Sequence, residues 1–117
     1  MNNLKNKVQL VGRLGAKPEI KTTTNGKKLA SFSLATNESY RNAKGKRIED
    51  TQWHRIVAWG SLADIAEKYA DKGKEMMLQG KLVNRNYTDQ EGNKRYITEI
   101  QATDIMLMGE KSSAPLN

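Results

Sequence analysis

A chain of 117 residues with 20 Lys and Arg against 13 Asp and Glu, a formal charge of +7, is long enough for one domain with a modest core. It is also cationic enough to suit a polyanionic partner, either nucleic acid or an anionic membrane surface. The absence of cysteine excludes disulfides and thiolate metal sites, and fits a reducing compartment. The opening MNNLKNKVQLVG lacks the apolar run of a signal peptide, no later stretch is long enough to cross a bilayer, and no basic amphipathic helix suits a membrane surface. A cytoplasmic protein with no membrane partner is expected.

Residues 1–5 read as a flexible polar start. Lys7 to Leu14 predicts a first strand, with Val8, Leu10, Gly12 and Leu14 in one register and Gln9, Val11 and Arg13 in the other. Gly15 and Pro18 end or bend it, and a threonine run leads to Asn25-Gly26, a strong hairpin-turn signal. Lys28 to Thr36 alternates again, Ala30, Phe32 and Leu34 opposing Leu29, Ser31, Ser33 and Ala35. Asn37 to Asp50 is hydrophilic and reads as a mobile basic loop with Tyr40 at its base. A third strand follows from about Ile48 to Gly60.

That third strand contains TQWHRIVAWG, in which a two-residue period puts Thr51, Trp53, Arg55, Val57 and Trp59 on one face and His54, Ile56 and Ala58 on the other. Both tryptophans of the chain thus share a face with an arginine. Core packing is one reading, since aromatic residues favour strands. The other is a surface for a single nucleic-acid strand, with rings for bases and cations for phosphates. Arg55 favours the second, because an unpaired guanidinium is costly in a dry interior.

The period then changes. Leu62, Ile65, Ala66 and Tyr69 lie at helical spacing, Ser61 is the expected N-cap, Asp64 and Lys68 the expected outward i,i+4 pair, and Lys72-Gly73 the stop; Tyr69 is expected to pack. Alternation returns in Glu75 to Tyr87, where Met77, Gln79, Lys81, Val83, Arg85 and Tyr87 form a second face mixing cations with a ring. A loop at 89–93 precedes a last strand from Lys94 to about Met108, whose irregular pattern predicts a bulge. Residues 109–117 read as a short disordered tail. Three strands, a helix and two strands suit an all-β, five-stranded antiparallel Greek-key barrel with one helix between strands three and four, the OB-fold, over residues 6–108.

No catalytic constellation is present. His54 is the one histidine, no metal-ligand cluster is recognisable, no phosphate-binding GxxxxGK[ST] loop occurs, and Glu49 and Asp50 alternate to opposite faces. Neither enzyme, metal nor cofactor is expected, and His54, opposite the tryptophans, suits packing or an interface.

The segments NKVQLVGRLGAKPEI, NGKKLASFSLATNESYR, TQWHRIVAWGSLADIAEKYADKG and GKLVNRNYTDQEGNKRYITEI, in this order, resemble the bacterial single-stranded DNA-binding protein family. The resemblance runs from about Asn6 to Leu107. It implies an OB-fold subunit of a homotetramer that wraps single-stranded DNA without sequence preference in replication, recombination and repair, associated with the nucleoid. Base-stacking positions fall on Tyr40, Trp53, Trp59 and Tyr87, and His54 falls where the family makes subunit contacts. Where relatives have tryptophan this chain has Tyr40 and Tyr87, and where they have phenylalanine it has Trp59. Val83 and Asn86 stand where cations are common, and Ser61 where lysine is. Candidate phosphate contacts are Lys7, Arg13, Arg41, Arg55, Lys72 and Arg85, with Arg55 and Arg85 best placed. Relatives often end in a linker with an acidic tip that recruits partner proteins; here Glu110 is the one acid after residue 108, so that recruitment is not expected. Rival readings are an OB module that prefers RNA or serves primosome assembly, a scaffold using the tryptophan face as an interface, and a barrel nuclease.

Overall fold

The computed structural model describes residues 4–108. A single 3-10 turn at Leu4–Asn6 precedes β1 (Val8–Leu14), β2 (Glu19–Thr22), β3 (Lys28–Arg41), β4 (Arg47–Trp59), α1 (Ser61–Tyr69), β5 (Glu75–Thr88) and β6 (Lys94–Leu107). Most of the expected flexible start, and all of the expected tail, lie outside the described residues. The sheet order is β1-β5-β6-β4-β3-β2, and β1 returns to β3 through Arg13–Ala35 and Leu14–Leu34. That contact closes β1, β3, β4, β5 and β6 into a barrel, as the alternation predicts. The pairing is antiparallel except between β4 and β6, which run parallel through Ile56–Ile100 and Val57–Gln101. β2 is an addition: four residues on the edge of β3, without the apolar alternation that would reveal them.

The inward register supplies the core. Leu14, Phe32, Leu34, Ile56, Met76, Leu78 and Ile100 are buried between the strands, and Ala63, Ala66 and Ala70 bring α1 close against them. Small residues form that helix seam, with Leu62 and Ile65 packed at its flanks, so Tyr69 is exposed rather than packed. Gly60, at φ 63°, is the N-cap in place of Ser61, which is the first helical residue. Asp64 does not pair with Lys68. Its carboxylate meets Lys28 of β3 at 2.8 Å, and Glu67 meets the same ammonium at 2.6 Å, which raises the Lys28 pKa and fastens the helix to the barrel.

Three hairpin loops share one design. In 23–27, 42–46 and 89–93, the fourth residue is a glycine at positive φ whose N–H bonds the first residue's carbonyl. The first side chain, Thr23, Asn42 or Asp89, accepts the amide of the fifth residue. This is a type I turn closed by a left-handed glycine, and the hairpin turn expected at Asn25-Gly26 takes this form, with Gly26 at positive φ. The same chemistry corrects the expected mobile loop at 37–50. Strands β3 and β4 stay in register from Leu29–Trp59 to Arg41–Arg47, and only 42–46 is loop. The outer half of that ribbon has both faces wet, so no apolar alternation marks it as strand.

The bulge expected in the last strand is at Thr103. Gln79 faces Asp104 and Gly80 faces Ala102, which leaves Thr103 between them without a partner. One extra residue flips the pleat, so the core side passes from Ile100 and Ala102 to Ile105 and Leu107. At the closure of the barrel, a Cβ on Gly12 would lie 2.2 Å from the Ala35 carbonyl oxygen. Gly12→Ala is therefore expected to destabilise the fold by about 1–3 kcal/mol, as overpacking does; urea denaturation checks this.

Candidate nucleic-acid interface

Cross-strand partners share a face, so the register assembles the outer surface directly. Leu29, Ser31, Ser33 and Ala35 of β3 lie beside Trp59, Val57, Arg55 and Trp53 of β4. Val57 adjoins Gln101 of β6, and beyond it Lys81, Val83 and Arg85 of β5 face Gln101, Glu99 and Ile97. The small β3 side chains leave room above them. The large ones on β4 stand out: Trp53 is 61 % exposed and Trp59 38 %, whereas Ile56 and Ala58 on the reverse face are fully buried. In this stripe the core reading holds for Val57 alone.

Each indole walls a shallow depression. Trp53 bounds one with Gly15, Lys17, Ser33 and Arg55, and its ring lies so close to Gly15 that a Cβ there would approach Cζ3 to 2.6 Å. Trp59 bounds the other with Leu29, Val57, Val83, Glu99 and Gln101. Between them sits an ion-pair triad. Glu99, 3 % exposed, accepts from Arg55 Nε at 2.9 Å and from Arg85 Nε and Nη2 at 3.0 and 2.8 Å. The Arg85 guanidinium, joined by Arg55, holds the Glu99 carboxyl below the usual carboxylate range against the opposing effect of burial, and Glu99 in turn raises Arg85. A carboxylate beneath two half-exposed guanidiniums fixes them in the middle of the aromatic face.

Tyr87, 52 % exposed, extends this face along β5 and pairs across the ladder with Arg95. Asp89 organises that end: Oδ2 accepts from Arg95 Nε at 2.9 Å, and Oδ1 accepts the amides of Glu91 and Asn93. Its pKa is lowered by Arg95 first, then by the Asn93 amide. Tyr40 is exposed too, but in the unbroken β3–β4 ladder it belongs to the register of Leu34, Thr36 and His54, on the other side of the pleat from Trp53. His54 is half-buried, its Nε2 3.0 Å from Thr36 Oγ1.

Of the expected phosphate contacts, Arg55 and Arg85 come together, on one shared carboxylate. Arg13 lies at the α1–β5 turn, near Lys72, with Nη1 donating to the Gly73 carbonyl at 3.0 Å. Arg41 donates to the Gly45 carbonyl of its own hairpin tip. Lys7 lines a separate depression near the bulge with Lys5 and Lys81. Glu99 and Gly15 were not legible as site residues. The available signal was that two cationic stripes, on β4 and β5, needed a counter-charge; which acid supplies it is set by the strand order.

Because the folded-state pKa of Glu99 is depressed, its stabilising contribution is complete above its unfolded value and is lost as pH falls through the folded one. Glu99→Gln is expected to flatten the acid side of the stability–pH curve while lowering stability at neutral pH. Denaturant midpoints measured from neutral pH into the acid range check both.

A model of the single-strand binding protein family matches residues 5–108. A curated protein of Chlorobaculum tepidum, "Single-stranded DNA-binding protein 1", is 45 % identical over 92 % of this chain and 67 % of its own length. One of the same name from Xylella fastidiosa is 42 % identical over 91 % of this chain and 79 % of its own. Among solved structures, a Plasmodium falciparum chain, titled as an SSB complex with ssDNA, superposes with TM-score 0.81 at 36 % identity, covering 93 % of this chain and all of that one. A Thermus aquaticus single-stranded DNA-binding protein shares the fold at TM-score 0.79 and 24 % identity, over 91 % of this chain and 51 % of that one. With the match spanning the whole barrel and its aromatic face, this chain belongs to the single-strand binding protein family.

Proposed function

We propose that the chain binds and protects single-stranded DNA without sequence preference, in replication, recombination and repair. The observation that carries this reading is the exposed face on which Trp53, Trp59 and Tyr87 surround Arg55 and Arg85. Unpaired bases have free π-faces to lay on such rings; a duplex hides them in its stack. Tyr40, on the outer ribbon, serves as a fourth ring reached by a strand that leaves the main face. Arg55 and Arg85 hold phosphates at the centre, with Arg13, Arg41, Lys7 and Lys72 along the flanks. Binding, not catalysis, is the activity of the family.

The reading extends to a homotetramer working in the cytoplasm at the nucleoid. Two surfaces support assembly. Strand β1 pairs with β3 only at Arg13 and Leu14, so the rest of that edge offers backbone groups to a second copy. Cross-strand neighbours Val11, Met77 and Met106 form an apolar row on the outside of β1, β5 and β6, with Val11 and Met106 exposed. His54 provides a further subunit contact.

Oligo-dT is expected to quench tryptophan fluorescence at low salt, with a log–log salt slope of roughly −0.7 per phosphate neutralised. Matched RNA and duplex should bind more weakly. Trp53→Ala and Trp59→Ala should each cost about 1–3 kcal/mol of binding without changing the assembly. Equal binding of duplex, or unchanged affinity in both variants, would contradict the reading. Met77→Glu should lower the mass seen by light scattering from four subunits to fewer while the barrel stays folded.

A further inference from the structure

We propose that Glu99 is a specificity-determining residue: by sharing one buried carboxylate between Arg55 and Arg85, it positions both guanidiniums and cancels half their charge, so that tight binding requires bases to stack. This rests on the single-stranded DNA reading above.

The chain carries +7 overall, yet the arginines among its rings are largely balanced by acids. Arg55 and Arg85 share Glu99 at 2.8–3.0 Å, leaving a net single positive charge. Arg95, across the ladder from Tyr87, is held by Asp89 in the same way. Among the excess cations, Lys17 stands beside Trp53 and Lys81 at the edge of the face, and Lys5, Lys7, Lys44 and Lys46 lie outside it. An anion that brings only phosphates therefore finds little net charge among the rings, whereas a strand with free bases gains the stacking energy as well. The three hydrogen bonds leave Arg55 Nη1 and Nη2 and Arg85 Nη1 outside the triad, so a phosphate can bind them without displacing the carboxylate.

Burial makes Glu99 effective in both respects. At 3 % exposure its charge is little screened by salt, and it cannot swing away when a strand arrives. A surface acid would do neither.

The test compares the wild-type protein with Glu99→Gln, Glu99→Asp and the double variant Arg85→Gln/Glu99→Gln, each titrated with oligo-dT and with a duplex of the same length over a salt series. Glu99→Gln exposes the second positive charge. Its oligo-dT salt slope is expected to steepen by roughly 0.7, and its duplex affinity to rise on the order of ten-fold at roughly 50 mM salt. The double variant restores the single net charge, so its slope and duplex affinity should return to the wild-type values. Glu99→Asp keeps the charge on a shorter arm, and should lose oligo-dT affinity a few-fold with the slope unchanged. Uniform weakening towards both ligands in Glu99→Gln with no change of slope would overturn the proposal, as would a steep slope in the double variant or in Glu99→Asp. Should Glu99→Gln not fold, Arg85→Gln alone takes its place: with Glu99 balancing the one remaining guanidinium, its slope is expected to be shallower than that of the double variant by roughly 0.7, and equal slopes in the two would overturn the proposal. If wild-type tryptophan fluorescence fails to respond to oligo-dT at all, both this inference and the single-stranded DNA reading fall; if it responds and the slopes do not move, only the role of Glu99 falls.

Discussion

The barrel depends on one close passage of backbone over backbone. Strand β1 reaches β3 only because Gly12 has no side chain to strike the Ala35 carbonyl, and the contact it permits, at Arg13 and Leu14, turns an open sheet into a closed one. The amides just beyond are then committed: across the turn that follows α1, Leu14 donates to the Lys74 carbonyl and accepts the Gly73 amide, and Gly15 donates to the Ser33 carbonyl. From there the consequence reaches the surface. Ala35 is the cross-strand neighbour of Trp53, and Gly15 is the backbone on which that indole lies. A constraint on chain closure thus seats the most exposed tryptophan.

Closure also separates the two faces of each strand. Once Leu34, Ile56, Met76, Leu78 and Ile100 fill the interior, the opposite register has to face outwards, rings included. Large exposed aromatic side chains are a liability for solubility unless something covers them. Here cations stand among them, and buried or well-bonded acids hold the cations still. Rigidity of this kind lowers the ordering cost when a flexible ligand binds, because the receptor groups are already in place. Glu99 illustrates the general asymmetry of buried charge: alone it would be strongly disfavoured, but with two guanidiniums it becomes a fixed part of the surface above it.

Much of this was legible in the sequence, and what was not has identifiable causes. Alternation located all five barrel strands, because each has one buried and one wet face. It failed for the outer half of the β3–β4 ribbon, where Glu38, Tyr40 and Asp50 show no contrast between faces, since both are solvated. It failed for β2, four residues long, and misjudged Tyr69, since the helix seam uses Ala63, Ala66 and Ala70 in place of larger side chains. The bulge was foreseeable from the broken pattern of β6; its position at Thr103 was not, because only the partner strand defines which residue is unpaired. For the site, pleat parity placed Trp53, Arg55 and Trp59 together, and Arg85 with Tyr87. Parity within one strand says nothing about which strands adjoin, so the meeting of Arg55 with Arg85 over Glu99 emerged only from the parallel β4–β6 contact.

The central claim is that bases lie on one particular face of the barrel. Photo-crosslinking of the protein to oligo-dT, followed by mass-spectrometric identification of the modified residues, tests it most directly. The account predicts adducts at Trp53, Trp59 and Tyr87, with Tyr40 modified by longer strands. Adducts confined to Tyr69 and Tyr96, the exposed rings that lie off this face, would contradict it.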